Sequence, residues 1–159
     1  MELIDVLVQG LKLEADGKEF YNKMAELMSD ADSKAMFEQL AVDEADHYNY
    51  IQRQYDALQS GEDWAAIPEM DPAESLDTVS LVFPAGGKLP KSLENNPTEE
   101  DALLFALKIE NDSFSLYQNS AKQTTNPEAK RMFSQLAGAE QRHFEVLMQR
   151  YESRYSYPR

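Results

Sequence analysis

Two short stretches of the sequence contain the same pair of residue types at the same spacing: EADH at 44–47 and EQRH at 140–143. They include the only 2 histidines of the 159-residue chain. Residues three positions apart share one face of an α-helix, so each pair could direct a carboxylate and an imidazole to one metal ion. A single pair is a weak signal, because a surface glutamate and a histidine at the core margin give the same spacing. The recurrence of the pair is the stronger observation.

The two pairs belong to an internal repeat with a period of 96 residues. Aligned without gaps over residues 11–57, the two halves share 15 identities in 47 pairs. LKLEADGKEFY (11–21) aligns with LKIENDSFSLY (107–117), and KAMFEQLAVDEADHY (34–48) aligns with KRMFSQLAGAEQRHF (130–144). The alignment therefore pairs Glu14 with Glu110 and Tyr21 with Tyr117. We predict that the chain is a duplicated helical hairpin.

Capping residues and hydrophobic spacing predict four helices, near 2–28, 31–59, 98–124 and 127–153. Thr98 and Asn126 are suited to cap the third and fourth helices, and Pro127 suits a first helical position. Asp30 aligns with Asn126 and is predicted to cap the second helix. The loop within each hairpin is only a few residues long, which makes the two helices antiparallel neighbours.

We interpret residues 1–159 as one domain of two hairpins, about 2–59 and about 98–153, joined by a crossover at 61–97. The crossover is rich in proline and glycine, and connections of this length are unusual inside a domain. A bundle with one long crossover is typical of ferritin-like proteins. The predicted fold class is therefore all-α, an antiparallel ferritin-like four-helix bundle.

Each predicted helix has one carboxylate in the middle of its apolar face. Four carboxylates brought together there would repel each other and lose hydration, at a cost of several kcal/mol per ion. Two divalent cations would balance them. This ligand set is that of ferritin-like di-iron and di-manganese carboxylate proteins. The predicted metal ligands, which would also be the catalytic residues acting through the metals, are Glu14, Glu44, His47, Glu110, Glu140 and His143.

Two ions per chain are expected, and the mixture of carboxylate and imidazole favours iron or manganese, although zinc could fill the site in vitro. Tyr21 and Tyr117 lie two turns after Glu14 and Glu110 on the same face. They either pack in the core or donate a hydrogen bond to a ligand.

Composition limits the remaining classes of function. The net charge is −14, which makes nucleic acid and anionic membrane surfaces poor partners. The chain contains 0 cysteines, which excludes disulfides, a thiol nucleophile and Cys-ligated iron within it. It shows neither a signal-peptide pattern nor an apolar run long enough for a membrane span. We expect a cytoplasmic protein.

The repeated segments resemble the rubrerythrin branch of the ferritin-like superfamily, most closely in LKLEADGKEFY, FEQLAVDEADHY, LKIENDSFSLY and FSQLAGAEQRHF. The resemblance implies two iron ions on the six predicted ligands and reduction of hydrogen peroxide at a di-ferrous centre. It also implies electron return from a rubredoxin-type iron centre. Because this chain has no cysteine, we expect a separate electron donor such as a rubredoxin.

One ligand of typical rubrerythrins is missing from the sequence. They have an additional glutamate three residues after the first glutamate of the third helix, and it exchanges with a histidine as the iron changes redox state. Ser113 occupies that position here, and Gly17 is its repeat mate. The predicted ligand set is symmetric and closer to a bacterioferritin-type centre.

The resulting hypothesis is a non-haem di-iron oxidoreductase that reduces hydrogen peroxide, or dioxygen, in oxidative-stress defence. The alternatives are a ferritin-like iron-binding ferroxidase without cage assembly and a structural di-metal bundle. We also expect a homodimer, in which the long crossover could permit exchange of hairpins.

Overall fold

The computed structural model describes residues 3–62, 93 and 97–155. These residues form four α-helices in chain order: α1 (Leu3–Leu27), α2 (Ala31–Gln59), α3 (Glu99–Gln123) and α4 (Pro127–Tyr155). All eight helix ends lie within two residues of their predicted positions. The all-α prediction is confirmed, while most of the crossover at 61–97 lies outside the described residues.

The predicted capping residues begin three of the helices. The Asp30 carboxylate accepts a hydrogen bond from the Ser33 backbone N–H at 3.0 Å, and Thr98 Oγ1 accepts one from Asp101 N–H at 3.0 Å. Asn126 Oδ1 accepts from two backbone N–H groups at the start of α4. These side chains satisfy N–H groups that have no partner within the helix, so they fix where each helix starts.

The helices pack most closely within each hairpin, α1 on α2 and α3 on α4. The core consists of two hydrophobic clusters that the repeat relates to each other. Tyr21 stacks on Phe37 in one cluster, with ring centroids 6.0 Å apart, and Tyr117 stacks on Phe133 in the other at 6.1 Å. Leu93, the one described residue between 62 and 97, is buried in the first cluster. The two clusters leave the middle of the bundle to polar side chains.

An ion-pair network joins α4 to the starts of α2 and α3. The Arg150 guanidinium donates to the Asp30 carboxylate at 2.5 Å, to Ser33 Oγ at 2.6 Å and to the Glu99 carboxylate at 3.2 Å. Arg154 Nε lies 2.8 Å from the second Glu99 oxygen. The repeat mate of Arg150 is Gln54, an uncharged residue, so the ion pairs of Arg150 have no equivalent at position 54.

We predict that Arg150→Ala lowers Tm by about 3–8 °C, because several charge-assisted hydrogen bonds are lost together. Hydrogen bonds from the Ser33 N–H and hydroxyl, followed by the bond from Arg150, lower the pKa of Asp30. A lowered carboxylate pKa stabilises the folded state above the ordinary value of 3.8 and ceases to do so as the pH falls below it. The Tm difference should therefore shrink in acid.

Lys108→Ala is the control for this prediction, because Lys108 faces Asp112 in an exposed pair at 4.0 Å. Such pairs contribute little. Thermal unfolding of both variants between pH 3 and pH 7 checks the expectation, and equal Tm values for the two variants would contradict it.

Within the described part of the chain, no helix is both long and apolar enough to cross a membrane.

Candidate metal centre

The four helices bring six acidic and imidazole side chains to the middle of the bundle. Glu14 lies on α1, Glu110 lies on α3, and the two Glu-x-x-His pairs lie on α2 and α4. All four glutamates are 0% exposed, and His47 and His143 are 1% and 3% exposed. Carboxylates are almost never fully buried unless they are paired, so this concentration of them marks a candidate functional site.

Five of the six side chains form two groups of potential metal donors. Glu14, Glu44 and His47 each offer a ligand atom, and these atoms all lie within 4.8 Å of one another. Glu44, Glu110 and His143 form the second group by the same criterion. Glu44 therefore belongs to both groups. The two imidazole rings are nearly parallel, with centroids 6.4 Å apart.

Glu140 is buried like the other predicted ligands but lies in neither group. No group in the described residues donates a hydrogen bond to either of its carboxylate oxygens. The structure thus places Glu140 inside the bundle without a described donor, and its role as a ligand remains a prediction.

The centre contains further buried oxygen and nitrogen atoms without a hydrogen-bond partner, and a pair of metal ions could bind them. Within the described residues, no hydrogen-bond partner lies within 3.5 Å of either oxygen of Glu44, Oε2 of Glu110 or Nδ1 of His143. Leaving such buried atoms unsatisfied costs about 1–3 kcal/mol each, and more when they are charged. Divalent cations that accept both oxygen and imidazole ligands would satisfy all of them.

Two tyrosines link the hairpins through the centre. The Tyr21 hydroxyl on α1 donates to Glu110 Oε1 on α3 at 2.5 Å, and the Tyr117 hydroxyl on α3 donates to Glu14 Oε1 on α1 at 3.1 Å. Both rings are also fully buried in the hydrophobic clusters. Each tyrosine therefore packs in the core and donates a hydrogen bond to the carboxylate of a predicted ligand.

Asp43 is a residue of the centre that the sequence reasoning missed. Its Oδ2 lies 2.7 Å from His143 Nε2, and its Oδ1 accepts a hydrogen bond from Gln39 Nε2 at 2.9 Å. Asp43 is 3% exposed. The repeat gave no indication of it, because Ala139 occupies the equivalent position. The sequence feature that could have identified Asp43 is its position next to Glu44 and one turn before His47.

Burial dominates the electrostatics of the centre. It raises the pKa of Glu44 well above the usual range, and the neighbouring Glu14 and Glu110 carboxylates raise it further. Burial also raises the pKa of Glu110, although the His143 and Tyr21 contacts oppose the rise. Burial lowers the pKa of His143, which favours the neutral imidazole that a metal requires. It raises the pKa of Asp43 to about 6.

Ser113 makes a local hydrogen bond within α3. Its buried hydroxyl donates to the Ile109 backbone oxygen at 3.0 Å, one turn earlier on α3. The position of the additional rubrerythrin glutamate therefore provides no carboxylate to this centre.

A cavity of about 480 Å³ lies between α1 and α2 next to one donor group. Glu14 forms part of its wall, together with Ala15, Lys18, Ala45, Tyr48 and Asn49. Asn111 and Gln141 are the repeat mates of Ala15 and Ala45, so the small side chains are found in the first hairpin only. A small molecule could approach the Glu14 side of the centre through this cavity.

A four-helix bundle with carboxylates and two Glu-x-x-His pairs at its middle has the architecture of the ferritin-like class. The model of the ferritin-like domain family matches residues 2–152 of this sequence. The chain belongs to the ferritin-like domain family. No curated protein matches the sequence.

Solved structures show the same fold at low sequence identity. An uncharacterized conserved protein from Magnetospirillum magnetotacticum MS-1 is 21% identical, with a TM-score of 0.71 over 100% of this chain and 97% of the other. A protein from Thermotoga maritima, assigned provisionally as a ferritin-like diiron-carboxylate protein, is 20% identical, with a TM-score of 0.69 over 99% and 97%. A hypothetical protein from Pyrococcus furiosus is 22% identical, with a TM-score of 0.68 over 96% and 89%.

Gly10 provides a test of the Tyr117–Glu14 contact. A Cβ atom at Gly10 would lie 3.0 Å from the Tyr117 hydroxyl and 3.2 Å from Ile51 Cδ1, whereas a Cβ at Gly138 would meet nothing within 4 Å. Alanine favours a helix over glycine by about 1 kcal/mol. We predict that Gly138→Ala gains most of this stability, and that Gly10→Ala gains less because it pushes the Tyr117 hydroxyl away from Glu14. Urea unfolding of both variants measures the difference. Equal gains in the free energy of unfolding would show that the Tyr117 hydroxyl can move away from Glu14 at no cost.

Proposed function

We propose that this protein is a non-haem di-iron oxidoreductase, similar to rubrerythrin, that reduces hydrogen peroxide. The observation that supports this most directly is the buried Glu44 carboxylate shared by two carboxylate–histidine groups. One carboxylate between two such groups suits a pair of metal ions close enough to act on one small molecule.

The proposed ligand assignment follows the two groups. Glu14, Glu44 and His47 would hold one iron ion, and Glu44, Glu110 and His143 would hold the other. Glu140 is the sixth proposed ligand because it is fully buried, aligns with Glu44 in the repeat, and receives no hydrogen bond from a described group. Manganese would suit the same donors, and zinc could replace iron in vitro.

Reduction of hydrogen peroxide to two water molecules consumes two electrons and two protons. Two ferrous ions held by the proposed ligands would supply the two electrons, one from each ion. The chain itself keeps the donor atoms buried, and Tyr21 and Tyr117 hold the carboxylates of Glu110 and Glu14 in place. The cavity beside Glu14 gives the peroxide a route between α1 and α2. A separate protein such as a rubredoxin would return the electrons.

Ferroxidase chemistry, in which dioxygen oxidises the iron, is the second candidate function. It is favoured by Ser113, whose hydroxyl is engaged with the Ile109 backbone oxygen. The ligand exchange of rubrerythrins needs a glutamate at that position. Without it, the symmetric set of four glutamates and two histidines would suit iron oxidation and handling. We propose a homodimer in either case.

Stopped-flow absorbance of anaerobic protein loaded with two ferrous ions tests the proposal. The protein is mixed with equal concentrations of hydrogen peroxide or dioxygen, and oxidation by peroxide is expected to be at least about tenfold faster. Preference for dioxygen would indicate ferroxidase chemistry instead. No spectral change with either oxidant would leave a structural metal pair as the better account.

A further inference from the structure

The cavity between α1 and α2 is much larger than hydrogen peroxide requires. Its volume is about 480 Å³. A water molecule occupies about 30 Å³ in the liquid, so hydrogen peroxide, with its two oxygen atoms, occupies about 60 Å³. Cavities that bind organic ligands in proteins have volumes of about 300–1,000 Å³. The size of this cavity therefore suits an organic molecule.

The wall of the cavity combines small apolar groups with polar ones. Ala15 and Ala45 contribute methyl groups, while the polar groups are an ammonium, a hydroxyl and an amide, from Lys18, Tyr48 and Asn49. Among the described residues, none of these three polar side chains has a hydrogen-bond or ion-pair partner. Apolar walls with a few polar groups that are free to bind are typical of a small-molecule site.

Lys18 gives the cavity a preference for anions. The chain has 29 acidic residues and only 15 lysines and arginines, yet Lys18 has no ion-pair partner in the described part of the chain. Lys18 is exposed, whereas Glu14, one turn earlier on α1, is 0% exposed. The cavity thus extends from a cation at its opening to a proposed metal ligand at its inner end. A molecule whose carboxylate pairs with Lys18 would extend toward Glu14.

The second hairpin does not have these features. The residues at the equivalent positions are larger or uncharged: Asn111 for Ala15, Phe114 for Lys18 and Gln141 for Ala45. A groove of about 320 Å³ between α3 and α4 has Phe114 and Gln141 in its described wall, but none of the six proposed metal ligands. The cation and the two methyl groups beside a proposed ligand therefore belong to the first hairpin and do not follow from the fold alone.

We propose that this cavity binds the organic part of a substrate: the protein reduces organic hydroperoxides that carry a carboxylate, and Lys18 recognises the carboxylate. This inference rests on the proposed function, because it directs the hydroperoxide group of the bound molecule toward the metal centre. It adds to hydrogen peroxide a substrate class, the hydroperoxides of small organic acids.

The reaction balances with the electrons of the proposed function. The O–O bond of the hydroperoxide breaks and takes up two electrons and two protons, and the products are the corresponding alcohol and water. Reduction of hydrogen peroxide consumes the same number of electrons and protons, so no further reductant is needed. The carboxylate is unchanged by the reaction and serves to hold the molecule.

Binding is tested separately from turnover with hexanoate, which has the carboxylate and a short chain but no hydroperoxide group. Its uncharged counterpart is 1-hexanol. Amide NMR signals of the full chain are followed during titration, both in metal-free protein and with zinc, which is redox-inactive. We expect hexanoate to shift the signals of the cavity residues, and 1-hexanol to bind about threefold or more weakly because it cannot pair with the ammonium.

Two variants locate the bound probe. Lys18→Gln removes the cation and should weaken hexanoate binding by about threefold or more. Lys23→Gln is the matched control, because Lys23 is exposed on the same helix outside the cavity wall. Ala45→Gln introduces the residue that the second hairpin has at the equivalent position, between its own glutamate and histidine. Its side chain should fill the cavity and weaken hexanoate binding by about tenfold or more.

Stopped-flow absorbance of anaerobic protein loaded with two ferrous ions tests the substrate class. The oxidants are 6-hydroperoxyhexanoate and hydrogen peroxide at equal concentrations below saturation. Lys18→Gln should lower the ratio of the rate with 6-hydroperoxyhexanoate to the rate with hydrogen peroxide by about threefold or more. Lys23→Gln should have the same ratio as wild-type protein.

The outcomes distinguish this inference from the proposed function. The inference would be overturned by absence of hexanoate binding, by equal effects of the two lysine variants, or by oxidation with hydrogen peroxide alone. Each of these results is compatible with reduction of hydrogen peroxide at the metal centre. Binding of hexanoate without oxidation by either peroxide would overturn the proposed function, and the substrate class with it. If Ala45→Gln does not fold, the two lysine variants decide.

Discussion

The Glu44→Ala variant is expected to bind neither metal ion tightly, whereas Glu14→Ala should keep one. Glu44 contributes a ligand atom to both donor groups, and Glu14 contributes to one. Removing a contact outside the ligands already weakens metal binding by about 10–100-fold, so removing a shared ligand should weaken both positions by at least about 100-fold.

Equilibrium dialysis of anaerobic protein against ferrous iron, followed by metal analysis, measures this difference. Wild-type protein should retain two ions per chain, Glu14→Ala about one and Glu44→Ala close to none. Glu38→Ala is the matched control, because Glu38 lies on the exposed face of the same helix. Circular dichroism should show that the bundle remains folded in every case. If Glu44→Ala retained two ions, the carboxylate would not be shared and the proposed centre would be wrong.

Much of this arrangement could be predicted from the sequence because the repeat supplies each observation twice. Glu14 and Glu110 occupy equivalent positions on apolar helix faces, and helical periodicity alone places such residues inside a bundle. Short loops then make the helices of each hairpin antiparallel. The burial of all six predicted donors follows from the same reasoning and agrees with the structure.

The features that the sequence did not predict are those that depart from the repeat. Asp43 has no counterpart, so symmetry gave no reason to select it. Glu140 has a counterpart in Glu44, yet only Glu44 lies in the two donor groups. Periodicity specifies which face of a helix a residue occupies, but side-chain torsions decide which carboxylate oxygen approaches a neighbour. Residue type and spacing do not determine these torsions.

The buried carboxylates also predict that metal-free protein is less stable at higher pH. The pKa of Glu44 is raised in the folded state, chiefly by burial, above the ordinary value of 4.5. The folded chain therefore holds a proton that the unfolded chain has released, and stability falls as the pH rises above that value. The lowered pKa of His143 acts in the opposite direction below its ordinary value of 6.5. A comparison of variants is needed to isolate the contribution of Glu44.

Glu44→Gln provides that comparison, because it keeps the shape of the side chain and cannot ionise. At pH 4, below the ordinary value of 4.5, the metal-free proteins should have similar stabilities, since Glu44 is then largely protonated in both the folded and the unfolded wild-type chain. At pH 8 the variant should be more stable than wild-type protein by about 1–3 kcal/mol, because it removes an unpaired buried charge. Urea unfolding in chelator at both pH values measures the difference. Glu38→Gln on the exposed face of α2 controls for the reduction in net charge.

Bound metal ions should make wild-type protein more stable than Glu44→Gln at pH 8. Ions that bind only the folded protein stabilise it by about 4.1 kcal/mol at a free concentration one thousand times Kd, which exceeds the advantage of the variant. Wild-type protein gains this stabilisation and Glu44→Gln does not, so at pH 8 the wild type should become the more stable protein once ferrous iron is added under anaerobic conditions. Parallel stability curves with and without metal would mean that Glu44 neither loses a proton in the metal-free bundle nor binds the ions. We expect the order of stability of the two proteins to reverse on metal addition, because the buried Glu44 charge destabilises the folded protein when it is unpaired and stabilises it beside a cation.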